Sequence, residues 1–387
     1  MQRLLVAGAL AVFAAAGMPR VAGDALPPLT VTSTLPAWRA PGVPVTVRGF
    51  AGSRERVQLR ANGRVVASAV SGRLGAYALR FAPTASARVR LTVSDGTRSV
   101  AAGLLVVRPV RLDAVGDVTF GEQVGPAIAE HGAAYPWTYV APTLRAADIT
   151  TGNLETSVST RGSAAEKEYT FRGAPGDLPA LRTVAGFDVL TLANNHAVDF
   201  GREALLDTLR YAHADGIQTI GAGANDVQAR RPAIVEAGGL RVALLGYSDV
   251  NPAGFLATAT EPGTARADVA AIEADVHAAL RRADVAVCFF HWGVELRTAP
   301  DARQQMFASA CLNAGARLVL GAHPHVLGPV SVPAPHELVA WSLGNFVFPS
   351  SGVTARTGIL QVSLDREGVV GHRLLPVHIV GLRPQLG

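Results

Sequence analysis

The sequence predicts a small all-β sandwich followed by a larger α/β unit, and three observations predict it. The hydrophobic pattern alternates with period two from Leu29 to Val107, then changes after Pro109 to apolar strands separated by helical stretches. Of the 387 residues, 49% are hydrophobic and 17% charged, so the chain can bury a core and is not disordered. The charge divides at the same place as the pattern. Residues 24–108 hold 12 Arg against Asp24, Glu55 and Asp95, whereas 109–387 holds 27 acidic against 21 basic residues.

The first 23 residues read as an export signal. Met1-Gln2-Arg3 is a short basic region, Leu4 to Ala16 an apolar run, and Pro19 with the small residues around Val21–Ala25 a cleavage zone. The apolar run is shorter than the ~20 residues of a membrane-spanning helix. The expected product is secreted or held in the cell envelope. Cys288 and Cys311 then meet an oxidising compartment. Each has apolar neighbours, and the expectation from sequence is two buried thiols, because spacing gives no Cβ geometry. Two cysteines also exclude a disulfide scaffold or a cysteine-based zinc module.

Residues 24–108 follow as a basic β-sandwich of immunoglobulin-like type, with about seven short strands. Leu29–Thr32, Val43–Val47, Val57–Arg60 and Ala76–Arg80 alternate apolar and polar side chains. Asn62-Gly63 and Asp95-Gly96 are two-residue hairpin signals. Arg48, Arg60, Arg64, Arg80, Arg88 and Arg90 fall on the polar positions and face solvent, either as plain surface or as a face that attracts a polyanion. In the second reading the polymer is held near the cleft of the following unit.

From 109 to 387 strands and helices alternate. The strands are Val110–Val115, Val189–Leu192, Arg241–Leu245, Ala283–Phe290 and Arg317–Leu320. The helices are Arg202–Ala214, Ala265–Arg282 and Ala302–Ala314. Polar residues collect where strands end, in Gly116–Thr119, Thr151–Glu155, Ala193–His196, Gly246–Asp249, His291–Glu295 and Gly321–His325. In open α/β sheets the crevice beyond the carboxyl ends of the strands binds ligands. These loops therefore bring Asp117, Asn153, Glu155, Asn195, His196, His291, Glu295, His323 and His325 together. Imidazole, carboxylate and amide oxygen form a ligand set for Zn²⁺, Mn²⁺ or Fe²⁺. The alternative is a purely hydrogen-bonded polar cluster. His323-Pro324-His325 is the strongest single signal, because such a turn can aim two imidazoles at adjacent ions.

Gly116–Gly121, Gly152–Glu155, Ala193–Gly201, His291–Glu295, Gly321–His325 and Trp341–Phe348 occur in that order. This series resembles the CapA family of poly-γ-glutamate capsule biosynthesis proteins, whose domain is similar to calcineurin-like metallophosphatases. The resemblance spans about 110–380. It implies a four-layer αββα sandwich with one or two divalent ions, Mn, Zn or Fe, at the strand ends. It places Asp117, Glu155 (bridging), Asn195, His291, His323 and His325 as metal ligands, with His291 and His323 on one ion and His325 on the other. His196 falls where the family's proton donor stands. Thr119 departs from the Asp-x-His of metallophosphatases, so one metal position is expected to be weaker. Candidate contacts on the substrate side are Asn153, Arg172, Glu295 (alternatively orienting His196, or a plain rim carboxylate) and Asn345 (alternatively a supporting contact or a turn residue).

The chemistry such a cleft supports is in-line displacement at phosphorus, with His196 as general acid. Three functions follow. The first is a secreted factor in making or exporting an anionic envelope polymer, poly-γ-glutamate by resemblance. The second is an extracytoplasmic phosphoesterase, and the third a non-catalytic polyanion-binding scaffold. Expected partners are an anionic polymer or a phosphate ester, with membrane components of a capsule machinery, and no nucleic acid. A Walker loop, a complete dinucleotide fingerprint and a Ser/His/Asp motif are absent from the sequence.

Overall fold

The structure, a computed structural model, describes residues 28–387; the export signal expected at 1–23 lies outside the described residues. Among the described residues no helix is long and apolar enough to cross a membrane.

Between Thr30 and Val107 eight strands form two sheets, one of three strands and one of five. Alternation drives this. Val45–Phe50 buries every second residue, and Val45 and Val47 meet Leu59, Leu91, Val93 and Leu105 of the other sheet in one core. Both hairpin signals stand between paired strands. Asn62-Gly63 joins Arg56–Ala61 to Arg64–Val70, and Asp95-Gly96 lies in the turn from Ala87–Ser94 to Ser99–Val107. The last strand runs through Arg108-Pro109 straight into Val110–Val118.

The remainder is built on two larger sheets. In the first, Gln218–Ile220, Val189–Thr191, Ile149–Leu154 and Val110–Val118 are parallel neighbours, and Arg356–Asp365 and Gly368–Val380 extend it antiparallel. In the second, Leu240–Ser248, Val285–His291, Leu318–Ala322 and Leu338–Ala340 are parallel, with antiparallel edge strands. One core, containing Leu112, Val189, Leu244, Val287, Leu320 and Val362, lies between the sheets. A second core covers the outer face of the first sheet with helix Arg202–Ala214, and a third covers the second sheet with Val269–Leu280 and Ala302–Asn313. This is the four-layer αββα arrangement.

The local departures have clear causes. The middle helix begins at Val269 rather than Ala265, because Asp268 accepts the Ala271 N–H as its N-cap. Cys288 and Cys311 form a disulfide, with Cα atoms 6.7 Å apart, in place of the two thiols expected. Strand Val285–His291 packs its outer face against helix Ala302–Asn313, and that packing supplies the geometry that spacing could not.

The β unit does not lie near the cleft. It abuts the amino ends of the large sheets. The Ala40 N–H donates to Gly238 O, Arg108 pairs with Asp148, and Trp38, Ala40 and Val43 pack into the intersheet core. Connectivity decides this, since the chain leaves the β unit and enters Val110–Val118 at its amino end.

Candidate metal centre

The carboxyl ends of the parallel strands gather the polar residues. Asp117 and His291 are strand residues, and Asn153 lies in Ile149–Leu154 after a register shift at Thr151–Asn153. The motif expected as a turn at 151–155 is thus mostly strand, and the bulge aims Asn153 and Glu155 into the cleft. His323 and His325 flank Pro324 with φ of 96° and 59°, a left-handed conformation rare outside glycine that the surrounding contacts hold in place. Gly116 and Gly321 permit the crowding behind this turn. A Cβ on Gly116 would stand 1.7 Å from Gly344 O, and one on Gly321 2.2 Å from Trp341 O.

Asp117, Asn153, Glu155 and His291 are wholly buried, and His323 nearly so. The orientation of Asn153 is fixed from the backbone outward. Asn194 Oδ1 accepts the His196 N–H at 3.0 Å, and Asn194 Nδ2 donates to Leu154 O and to Asn153 Oδ1. Asn153 therefore turns its Nδ2 inward, 2.8 Å from Asp117 Oδ1, 3.3 Å from Glu155 Oε2 and 3.2 Å from His291 Nδ1. It aligns the acidic and imidazole groups from behind, where a substrate contact had been expected.

The opposite ring nitrogen of His291 and the Nδ1 of His325 face acceptor oxygens. His291 Nε2 is 2.8 Å from Asn195 Oδ1 and 3.4 Å from Glu155 Oε1. His325 Nδ1 is 3.4 Å from Asp117 Oδ2 and 2.7 Å from Asn345 Oδ1, so Asn345 holds the ring beside Asp117. Two donor sets emerge, Glu155–His323–His325 and Asp117–Glu155–His291, each with ligand atoms within 4.8 Å of one another. Glu155 is common to both. The sets divide the histidines differently from the family expectation, grouping His323 with His325 across their shared turn. Glu155 Oε1 and His323 Nδ1 are buried without a hydrogen-bond partner among the described residues. Buried polar atoms are rarely left so. Carboxylate and imidazole atoms without hydrogen bonds, converging on one space, fit a divalent ion. The Thr119 hydroxyl instead accepts the Gly121 N–H at 3.0 Å.

The electrostatics leave His291 and His323 neutral and His325 protonated. Burial, then the Asp117 charge, pushes the Glu155 carboxyl up. Burial raises Asp117 too, but hydrogen bonding and charge from His325 outweigh it and hold it low. Burial pulls His325 down, yet Asp117 and Glu155 more than reverse this and lift it to about 10. Burial takes His291 down to about 3 and His323 well below the ordinary histidine range. His291 and His323 are thus in the neutral form that binds metal, whereas His325 must first give up a proton.

His196 lies beside the sets, its Nε2 3.9 Å from Glu155 Oε1. Its Nδ1 is 2.7 Å from Asp199 Oδ2, and Phe171 stacks on the ring at 4.0 Å. Lys167, the one lysine of the chain, donates to Asp199 Oδ1 and to Asn195 O, each at 2.7 Å. Asp199 and Lys167 were missed in the sequence reading. The signal for Asp199 was its place three residues beyond His196. Glu295, expected to orient His196 or contact substrate, stays exposed at the rim, where Leu296 N–H bonds to Pro324 O. Arg172 is also not brought in. Its guanidinium donates to the carbonyls of Arg161 and Gly162 and stacks over Phe200 at 3.7 Å, so it clamps the 161–162 turn.

Residues 111–350 match the family described as bacterial capsule synthesis protein PGA_cap. The chain belongs to that family. The chain is also similar to the PGA biosynthesis protein CapA of Bacillus subtilis, 33% identical over 68% of this chain and 70% of its own length. The capsule biosynthesis protein CapA of Bacillus anthracis is 31% identical over 68% and 66%. A probable polyglutamine synthesis accessory protein of Mycobacterium tuberculosis is 34% identical over 57% and 62%. Among solved structures, a phosphatase from Mycoplasma pneumoniae aligns over 70% of this chain and 94% of its own, at 12% identity and a TM-score of 0.43. A 5'-nucleotidase precursor from Thermus thermophilus aligns over 72% and 54%, at 15% identity and a TM-score of 0.44.

Proposed function

We propose that this protein works in the synthesis or export of an anionic envelope polymer, poly-γ-glutamate by the family resemblance, through a divalent-metal cleft that hydrolyses an ester of phosphoric acid type. The observation that carries the reading is the pair of buried atoms without a hydrogen-bond partner among the described residues, Glu155 Oε1 and His323 Nδ1, at the meeting of the two donor sets. Asp117, Glu155, Asn195, His291, His323 and His325 would hold one or two ions, Mn, Zn or Fe. A bound ion supplies Lewis-acid polarisation of a substrate oxygen and makes water a competent nucleophile near neutral pH.

The chain's own residues do the rest. Asp199 holds the His196 Nδ1 proton, which leaves Nε2 to exchange a proton with a ligand in the cleft. Lys167 ties Asp199 to the Asn195 carbonyl and so keeps the His196 and Asn195 loop in register. Phe171 and Phe348 pack beside His196 and His325 and exclude water from one wall. The chain divides in this reading into a leader at 1–23, a β unit at 24–108 and the metal unit at 109–387. The Cys288–Cys311 disulfide supports action outside the cytosol.

The test is metal analysis of the purified protein with a screen of phosphomonoesters and phosphodiesters. His196→Ala is expected to lower kcat by ~10²–10⁴ while leaving metal content unchanged. Equal metal loss in this variant would move His196 among the ligands. A metal-free wild type without turnover would favour the scaffold reading.

A further inference from the structure

Where the β unit meets the amino ends of the large sheets, a cavity of about 330 Å³ opens. Arg39, Arg80, Arg241 and Arg366 line it, with Glu236 and Asp284 as its two carboxylates. The guanidinium groups come from four separate segments, so the cavity exists only because the two units are joined. They are unequally committed. Arg241 bonds to Asp284 at 3.2 Å, and Arg366 reaches the same carboxylate at 3.6 Å. The Arg80 guanidinium has no hydrogen-bond or ion-pair partner among the described residues, and Arg39 uses one nitrogen on Trp38 O while its buried Nε has none. Gly239 leaves room for the Arg39 stem, since a Cβ there would lie 3.2 Å from Arg39 Nε.

We propose that this cavity is an anchoring site for a carboxylate-bearing chain, separate from the metal centre; the identity of that chain as a glutamate polymer rests on the function proposed above. Guanidinium groups match carboxylates in planar, two-point geometry. A single exposed ion pair contributes only ~0–1 kcal/mol and is screened by salt, so one anion is held weakly. Two uncommitted guanidiniums in one cavity favour a ligand that repeats its carboxylates. The metal unit's acidic excess repels such a ligand, and the cavity supplies the local attraction. The cavity lies at the amino ends of strands whose carboxyl ends hold the metal centre. Val110 to Asp117 spans about 23 Å at ~3.3 Å per residue, so a polymer, unlike a small anion, can engage both ends at once.

The experiment titrates a poly-γ-glutamate fragment into the full chain at low and physiological salt, with free glutamate and inorganic phosphate as comparators. Wild type is expected to bind the polymer, more weakly as salt rises, and to prefer it to both comparators. The double substitution Arg39→Ala with Arg80→Ala is expected to weaken binding about ten-fold. The charge-matched control Arg48→Ala with Arg88→Ala, on exposed positions outside the cavity, is expected to change it less than two-fold. If the double variant loses its fold by thermal melting, Arg80→Glu alone, on an exposed strand position, carries the same expectation. Equal binding by cavity and control variants overturns the proposal, as does no binding by wild type or phosphate binding as tight as polymer. Metal content measured on the same samples separates the outcomes. Lost polymer binding with metal retained is the result expected of the cavity variants, whereas a wild type without metal overturns the metal cleft alone.

Discussion

The two ends of the parallel strands use the same kinds of residue to opposite effect. At the amino ends, an aspartate precedes each of three strands and is fully engaged. Asp148 accepts the Arg111 N–H and pairs with Arg108, Asp188 accepts the Thr150 N–H and pairs with Arg182, and Asp284 accepts the Arg241 N–H and pairs with Arg241. Each carboxylate ties its own strand to the start of the neighbouring one. At the carboxyl ends, Asp117 and Glu155 are more deeply buried, and the cluster leaves Glu155 Oε1 and His323 Nδ1 without a hydrogen-bond partner among the described residues. Satisfied charge at one end serves register and stability. Unsatisfied donors at the other cost stability and are retained where a ligand completes them.

The largest expected effect separates the ends outright. His323→Ala should lose at least one metal equivalent, about 100-fold or more in affinity, while Asp148→Ala keeps its metal content. Elemental analysis and metal titration check both, and metal loss in Asp148→Ala would break the division. The converse is smaller. Asp148→Ala strands a guanidinium and the Arg111 N–H and should cost about 1–3 kcal/mol in denaturant unfolding. His323→Ala should cost the metal-free chain little or even stabilise it, because it removes a partnerless buried nitrogen.

Protons give a finer test. In the metal-free chain Glu155 is raised and His325 lies at about 10, so both hold a proton at pH 7. Metal binding requires both to be deprotonated, so uptake at pH 7 should release about two protons, and affinity should rise with pH until His325 has titrated. Calorimetry in buffers of different ionisation enthalpy reads this number; no release would contradict the ligand assignment. The smallest effect concerns Thr119. Titration should show one tight and one looser metal equivalent, and two equally tight ones would mean that the Thr119 position does not weaken the second.

The site was legible to the extent that it follows from strand direction. Parallel strands carry their exits to one side, so Asp117, Glu155, His291 and His323 could be grouped before any coordinates were known. The supporting contacts were not legible in the same way. Asp199 rather than Glu295 orients His196, because a tight turn brings the residue at i+3 under the ring while Glu295 leaves on the rim. Arg172 was drawn off by the carbonyls of Arg161 and Gly162. Such outcomes depend on which acceptor lies within about 3 Å, a property of packed loops that no spacing reports.

The sequence by itself determined the two-part architecture and the end of the sheets that carries the histidines, because periodicity and strand direction are local properties, while the layer order came from the family resemblance. The expectation that the β unit holds a polymer near the cleft failed, because the unit packs through Ala40, Val43 and Arg108 against the amino ends of the sheets. Tertiary structure alone decided the disulfide between Cys288 and Cys311, the inward turn of the Asn153 amide and the meeting of four arginines from separate segments in one cavity. Each of these depends on the approach of segments distant in sequence, and only the closed packing of both units sets those distances.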